Sequence, residues 1–221
     1  MRPAVLNGAL RRGFEISGAL AGLVLTAPLL AAASVAIWRQ DGWPVLYKQV
    51  RIGRDGKPFV LFKLRSMRSG TTGPSITAAG DARITPIGRW LRRYKLDELP
   101  QLWNVLIGDM SLVGPRPEAP AYVDPDSYEW REVLHTRPGI TDLATLMYRN
   151  EELLLARADN PEAYYREQIL PHKLKLNMAF QRRRTFWLEI KLIALTVRHS
   201  FWPSSFDAAT IAPKFLPRDV A

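Results

Sequence analysis

Cysteine is absent from the 221 residues, which excludes disulfide frameworks, thiolate zinc sites, iron–sulfur clusters and a cysteine nucleophile. Histidine is scarce. His135, His172 and His199 lie far apart without metal-ligand spacing, so any metal chemistry falls to oxygen donors, the set that suits a hard cation such as magnesium. No low-complexity tract occurs, and 47% hydrophobic with 24% charged residues is the composition of a folded chain, long enough for one domain with an appendage. Negative charge is in deficit: 31 Lys and Arg stand against 21 Asp and Glu, a net charge of +10. The partner is therefore anionic, and charge alone leaves nucleic acid, acidic lipid and phosphate-bearing ligands open.

Charge is missing altogether from Ile16 to Trp38. As a straight helix this run measures roughly 35 Å, enough for a hydrocarbon core of about 30 Å, and it exceeds the h-region of a cleaved signal peptide. Basic residues flank it on both sides: Arg2, Arg11 and Arg12 before, Arg39, Lys48, Arg51, Arg54 and Lys57 after. A simple span would put one basic flank on the wrong face of the membrane. Pro28 near the middle removes an amide donor, which favours a bend, and each arm is then roughly 15 to 18 Å, about half the core thickness. The expectation is a re-entrant helix that dips into one leaflet and returns, with the Thr26 hydroxyl satisfying a backbone group freed at the bend. A kinked spanning helix is the alternative.

Beyond Arg39 the pattern becomes that of a short β-hairpin, Val45 to Val50 and Pro58 to Leu64, joined by a turn at Asp55-Gly56. Alternation puts Phe59, Leu61 and Lys63 on one face, so Lys63 is either solvated or aimed into a pocket. Residues 69 to 80 have the small, polar composition of a mobile loop that could close over a ligand. Thr85-Pro86 reads as cap and first residue of a helix carrying Arg89, Arg92 and Arg93. Leu99, Leu102, Trp103 and Leu106 recur at helical spacing, with Asp97 as the expected cap, Pro100 in the first turn and Gly108 as the stop. Gly114 to Glu118 and Arg137 to Thr141 read as rigid turns, each holding an Arg. From Pro161 to His199 the chain reads as helical, broken near Pro171, with basic Arg182, Arg183 and Arg184. Phe201 and Trp202, before Pro203, suit an interfacial anchor.

Adjacent carboxylates at a helix start, Asp97 and Glu98, are ordinary as structure. Their company raises a chemical reading: Lys63, Arg65, Arg68, Arg92, Arg93 and Arg116 form a density of cations suited to phosphate oxygens. An Asp kept ionised by backbone amides beside a bound phosphate could attack phosphorus, provided that Arg clamps and a divalent cation held by Glu98 neutralise the approaching anions.

The ordered set LFKLRSM (Leu61 to Met67), DARITPIGRWLRRYKLDELPQLWNVLIGDMSLVGPRPE (Asp81 to Glu118) and RPGIT (Arg137 to Thr141) resembles the bacterial sugar transferase family, the monotopic polyprenyl-phosphate phosphoglycosyl transferases. The resemblance runs from about Phe14 to about Val197. It implies an α+β, mainly helical fold with a Pro-bent re-entrant membrane helix, a short β-hairpin and a membrane-surface catalytic domain with amphipathic helices. It also implies transfer of a phospho-sugar from a nucleoside-diphosphate sugar, usually a UDP-sugar, to polyprenyl phosphate with release of the nucleoside monophosphate. The expected place is the cytoplasmic face of a bacterial inner membrane, with membrane lipid rather than nucleic acid as the further partner and a homodimer left open. Carried across, the resemblance makes Asp97 the nucleophile and Glu98 its magnesium-associated partner, with Asp97 and Glu98 as the metal's carboxylates. It places Lys63, Arg92 and Arg116 at positions linked to phosphate handling.

The chain departs from the family pattern in places. Ala27 stands where many members have Ser before the bending Pro, and Thr141-Asp142 followed by Met147 to Glu152 stands where members often read RPGITG and then a Gly-Arg-Asn segment, which bears on sugar preference. Three regions are expected: an anchor over 1–40, a transferase domain over 41–203 and a tail over 204–221, the organisation of the small catalytic form. The competing class is a basic membrane-surface protein without catalysis, in which Asp97 only caps a helix.

Overall fold

The computed structural model describes residues 8–71, 73, 76–202, 207 and 211–216. Arg2, Pro203, much of the expected tail and Thr72, Pro74 and Ser75 of the expected loop lie outside the described residues. The chain is mainly helical with two small two-stranded sheets. A long helix α1 (Gly8–Asp41) leads into the antiparallel hairpin β1 (Leu46–Ile52) and β2 (Pro58–Leu64). Short helices α2 (Pro86–Arg93) and α3 (Gln101–Ile107) follow. Strand β3 (Ser111–Val113) then pairs in parallel with β4 (Gly139–Thr141) across α4 (Tyr128–Leu134). Helices α5 (Leu143–Met147), α6 (Glu151–Leu155), α7 (Pro161–Tyr164), α8 (Leu170–Arg183) and α9 (Phe186–Phe201) complete it.

α1 is long and apolar enough to cross a membrane by length and composition. Leu20, Val24 and Leu25 on it are exposed, the last by 80%. Yet both its ends are fastened to the same body. Near the N-terminal end the Arg12 guanidinium donates to the carbonyls of Val105 and Leu106 at the end of α3, where the helix dipole welcomes a cation. Close by, Glu15 accepts from the Ser111 hydroxyl at 2.5 Å, and Arg11 pairs with Glu189 of α9 at 2.9 Å. Past Pro28, Ala33 and Ile37 pack with Leu64, Leu91 and Leu96. At the C-terminal end Arg65 of the segment after β2 donates to the Asp41 and Gly42 carbonyls. Thr26 donates to the Gly22 carbonyl at 2.7 Å, its own i−4 acceptor, and not to Val24, the carbonyl that Pro28 deprives of an amide.

Several expected signals form as read. Thr85 caps α2 through the Gly88 amide at 3.0 Å, and Gly108 ends α3 with φ +96°. Others differ. Pro171 sits at the start of α8 behind a π-turn at Tyr165–Ile169, so the helix is not broken there; the break falls at Arg184, where Thr185 caps α9. Arg184 turns inward to Glu189 and the Val113 carbonyl. The expected turns at Gly114 and Gly139 are the crossing of β3 and β4, and a Cβ on Gly139 would lie 2.1 Å from the Gly114 amide nitrogen. Of the region beyond 203, Ile211, Ala212, Phe215 and Leu216 are buried in the core with Leu143, Phe180 and Leu192.

The hairpin is tied to α3 by one side chain. Asn104 is fully buried, its carboxamide donating to the Val60 carbonyl at 2.7 Å and accepting from the Phe62 amide at 3.1 Å, as a neighbouring strand's peptide group would. Replacing Asn104 by Ala leaves two backbone groups without partners, so Asn104→Ala is expected to cost about 2 to 4 kcal/mol, read as a lowered unfolding midpoint in detergent.

Candidate active site

One large cleft, about 970 Å³, lies between the hairpin, the turn after α2 and helices α5, α6 and α8. Asp97, Glu98, Lys63, Arg92 and Arg116, brought from four segments, all line it. So do Lys48, Arg51, Arg65, Arg68, Arg83, Lys95, Arg149 and Lys173, whereas the further carboxylates are only Glu118, Glu151 and Glu152. A cleft with this excess of cations attracts polyanions.

The carboxylates reach it by an unexpected local route. Asp97 does not cap α3: it lies within a 3-10 turn, Leu96–Glu98, and α3 begins after Pro100 with no side-chain cap. The turn is set by Lys95, whose φ of +58° is left-handed backbone that a residue with a Cβ adopts only where the surroundings hold it. Asp97 is 5% exposed, and its Oδ1 is buried with no hydrogen-bond donor among the described residues. Burial, followed by the adjacent Glu98, pushes the Asp97 carboxyl above the ordinary carboxylate range, with Lys63, Lys95 and Arg92 opposing. The expected ionisation by helix amides is thus corrected: the cap is missing, and desolvation dominates.

Glu98 has the opposite environment. Arg116 donates to it in a fork, Nη1 to Oε2 at 3.1 Å and Nη2 to Oε1 at 2.6 Å, while Lys63 Nζ lies 3.7 Å from Oε1. Against the upward push of burial, Arg116 and then Lys63 hold Glu98 well below the carboxylate range. Glu98 raises Arg116 in turn. Asp142 fixes Arg116 from behind, its Oδ2 accepting the Arg116 backbone amide at 2.7 Å while Oδ1 caps α5 through Thr145. The alternation in β2 delivers Lys63 to the pocket, and burial lowers its ammonium to about 8 despite Glu98. Arg92, expected at phosphate, faces the cleft paired with Glu152, Nε to Oε1 at 3.1 Å.

Residues not singled out from the sequence complete the walls. Glu118, just past Arg116-Pro117, accepts from the Tyr165 hydroxyl at 2.7 Å and lies 3.7 Å from Arg51. Lys173 pairs with Glu151 and stands 5.0 Å over the Tyr165 ring. Glu118 had a signal in its motif position. Tyr165, Lys173 and Arg51 had none, being drawn in by tertiary packing.

Among the described residues no group of three or more acidic or His side chains could hold a metal. The donor set nonetheless suits a hard cation that takes most ligands from a bound phosphate. The orphaned Asp97 Oδ1 offers one carboxylate oxygen, and Glu98, its fork directed to Arg116, keeps only its remaining lone pairs.

A Lys63 ammonium with a pKa near 8 loses its charge as the pH rises through that value. Binding of inorganic diphosphate is therefore expected to weaken above about pH 8 in the native chain, and Lys63→Arg, which stays charged, should remove that alkaline limb in a pH series of titrations.

Comparison with known proteins identifies a family. Residues 6–203 match the family described as "Bacterial sugar transferase". The chain is 36% identical over 201 residues to the undecaprenyl-phosphate glucose phosphotransferase of Komagataeibacter xylinus, covering 87% of this chain and 36% of that protein. It is 33% identical over 206 residues to the UDP-glucose:undecaprenyl-phosphate glucose-1-phosphate transferase of Escherichia coli (strain K12), covering 89% of this chain and 41% of that one. With the "Uncharacterized sugar transferase EpsL" of Bacillus subtilis (strain 168) it shares 34% identity over 189 residues, 86% of each chain. The chain thus spans less than half the length of the two glucose phosphotransferases and most of the third relative. A match that takes in α1, the hairpin, the Asp97-Glu98 turn and the Arg116 loop makes this chain a member of the bacterial sugar transferase family.

Proposed function

We propose that this protein transfers a phospho-sugar from a nucleoside-diphosphate sugar, of which a UDP-sugar is the leading case, to polyprenyl phosphate such as undecaprenyl phosphate. The products are UMP and a polyprenyl-diphosphate-sugar, the first membrane-bound intermediate of exopolysaccharide, O-antigen or other glycoconjugate synthesis. The observation that carries the reading is a buried, unpartnered Asp97 oxygen at the wall of a cation-rich cleft, beside a Glu98 whose charge is already compensated. The substrate class is that of the Escherichia coli and Komagataeibacter xylinus relatives, which are named as undecaprenyl-phosphate glucose transferases.

In the first displacement an Asp97 carboxylate oxygen attacks the phosphorus that bears the sugar. The new O–P bond forms as the bridging P–O bond of the diphosphate breaks, and UMP departs with the bridging oxygen and its electron pair. In the second, a phosphate oxygen of the acceptor attacks the same phosphorus, forming a diphosphate and returning Asp97 as a carboxylate. Lys63 and Arg116 are placed to stabilise the equatorial oxygens and the leaving phosphate, and Glu98 to hold both cations. Asp97 and Glu98 would be the carboxylates that hold magnesium, which would supply charge neutralisation at the diphosphate. The raised pKa of Asp97 fits a site that ionises its nucleophile when cationic charge arrives with the donor.

For α1 we adopt the re-entrant, monotopic arrangement, with the catalytic body on the cytoplasmic face of the inner membrane. Arg12 and Asp41 are about 43 Å apart along a helix, more than the hydrocarbon thickness, yet both are bonded to one body. An upright span would carry those two attachments to opposite faces. A helix lying within one leaflet keeps both on the same side, with Leu20, Val24 and Leu25 turned to lipid.

With donor alone, mass spectrometry is expected to find a phospho-sugar adduct on Asp97 and radiolabelled UMP to exchange into donor. Asp97→Asn should abolish both, lowering exchange by at least about a thousandfold while the protein stays in the membrane fraction. Chelation of divalent cations should stop adduct formation and added magnesium restore it. Normal exchange by Asp97→Asn would refute the covalent reading, and absence of UMP release over a broad donor panel would refute the transferase.

A further inference from the structure

Arg92 stands five residues before Asp97, in the last turn of α2, and its charge is among those that oppose the burial of Asp97. Its guanidinium is engaged, however. Nε and Nη2 both donate to Oε1 of Glu152, a residue of α6 sixty positions further along the chain. The neighbouring Glu151 engages Lys173 of α8. The backbone of the same helix is joined to the expected loop, the Ala79 amide donating to the Glu152 carbonyl at 2.9 Å. A five-residue helix thus presents two successive carboxylates to two cleft cations from different elements.

An oxygen accepting from Nε and one Nη side by side occupies the place where an arginine receives a phosphate oxygen. Resting on the transferase reading above, we propose that Glu152 is an internal stand-in for the ligand's phosphate. It holds Arg92 while the cleft is empty, yields Arg92 to the donor's diphosphate, and takes it back as the nucleoside monophosphate leaves. The energetics allow the exchange. Glu152 is 39% exposed and Arg92 21% at their side chains, so water reaches this half-buried pair and it is more easily parted than the Glu98–Arg116 fork. A diphosphate brings more charge and more acceptor oxygens, so it wins when present. In its absence the carboxylate compensates the charge of Arg92 in a cleft whose lining is already rich in cations. Donor and product then bind in competition with the same side chain, and removing that side chain tightens both.

The experiment compares the native chain with Glu152→Gln in detergent or nanodiscs, after checking that the two unfold at similar temperatures. UMP affinity is read by titration calorimetry and donor KM by donor-alone UMP exchange. Glu152→Gln is expected to tighten both by about two- to fivefold. In an Arg92→Met background the same substitution should leave UMP affinity unchanged, since Glu152 acts through Arg92. Unchanged UMP affinity in Glu152→Gln would overturn the proposal. So would a weaker donor with unaltered UMP binding, which would make Glu152 a sugar ligand, or an equal tightening without Arg92. If the native chain binds no UMP, the transferase reading fails first. The same comparison made with inorganic diphosphate then still decides the role of Glu152.

Discussion

The forked ion pair between Glu98 and Arg116 is the constraint on which the cleft depends. Glu98 is buried while Arg116 keeps one edge toward the cleft, and leaving a buried charge without its partner typically costs about 3 to 5 kcal/mol. The pair is accordingly held from several directions: Asp142 grips the Arg116 backbone, prolines flank that residue, and Lys63 supports Glu98 from β2. Compensation is spent on one member of the dyad. Asp97, the residue before it, is equally buried, and its Oδ1 has no donor among the described residues. Two adjacent carboxyls are driven apart in acidity by their surroundings, the usual arrangement when one reacts and the other orders the site.

The apolar helix belongs to the same unit. α1 packs along α3 and against α2, and buried polar groups near its N-terminal end, Glu15 and Ser111, meet within the protein. Leu102 of α3, four residues beyond Glu98, lies against Gly22, so a displacement of the helix would be felt close to the Asp97-Glu98 turn. The apolar helix and the body that it packs on are therefore better regarded as one packed object than as a tether and its cargo.

Much of this was legible in the sequence where local chemistry decides the outcome. Thr85-Pro86, Gly108 and Asp55-Gly56 form the start, stop and turn that their residue types favour, and alternation in β2 put Lys63 on the face that meets Glu98. The dyad and its cations were readable because their ordered motifs are specific. What failed depended on distant partners. Asp97 resembles a cap by composition, but the left-handed Lys95 shifts the helix start past Pro100, and no local pattern marks that. Pro171 reads as a break because a proline usually is one; here it falls in the first turn of α8, directly after the π-turn, where a missing amide is tolerated. Arg51, Tyr165 and Lys173 come to the cleft from segments whose own patterns concern only packing.

The Asn104 bridge has a consequence for accuracy of placement. Because side chains on a strand alternate, a slip of β2 by a single residue against its neighbour would turn Lys63 out of the cleft and bring Phe62 or Leu64 in. Asn104 accepts from the Phe62 amide and donates to the Val60 carbonyl, bonds that a slip of one residue would break, so a carboxamide on α3 joins the turn in keeping the ammonium of the neighbouring strand in phase with the carboxylate that it serves.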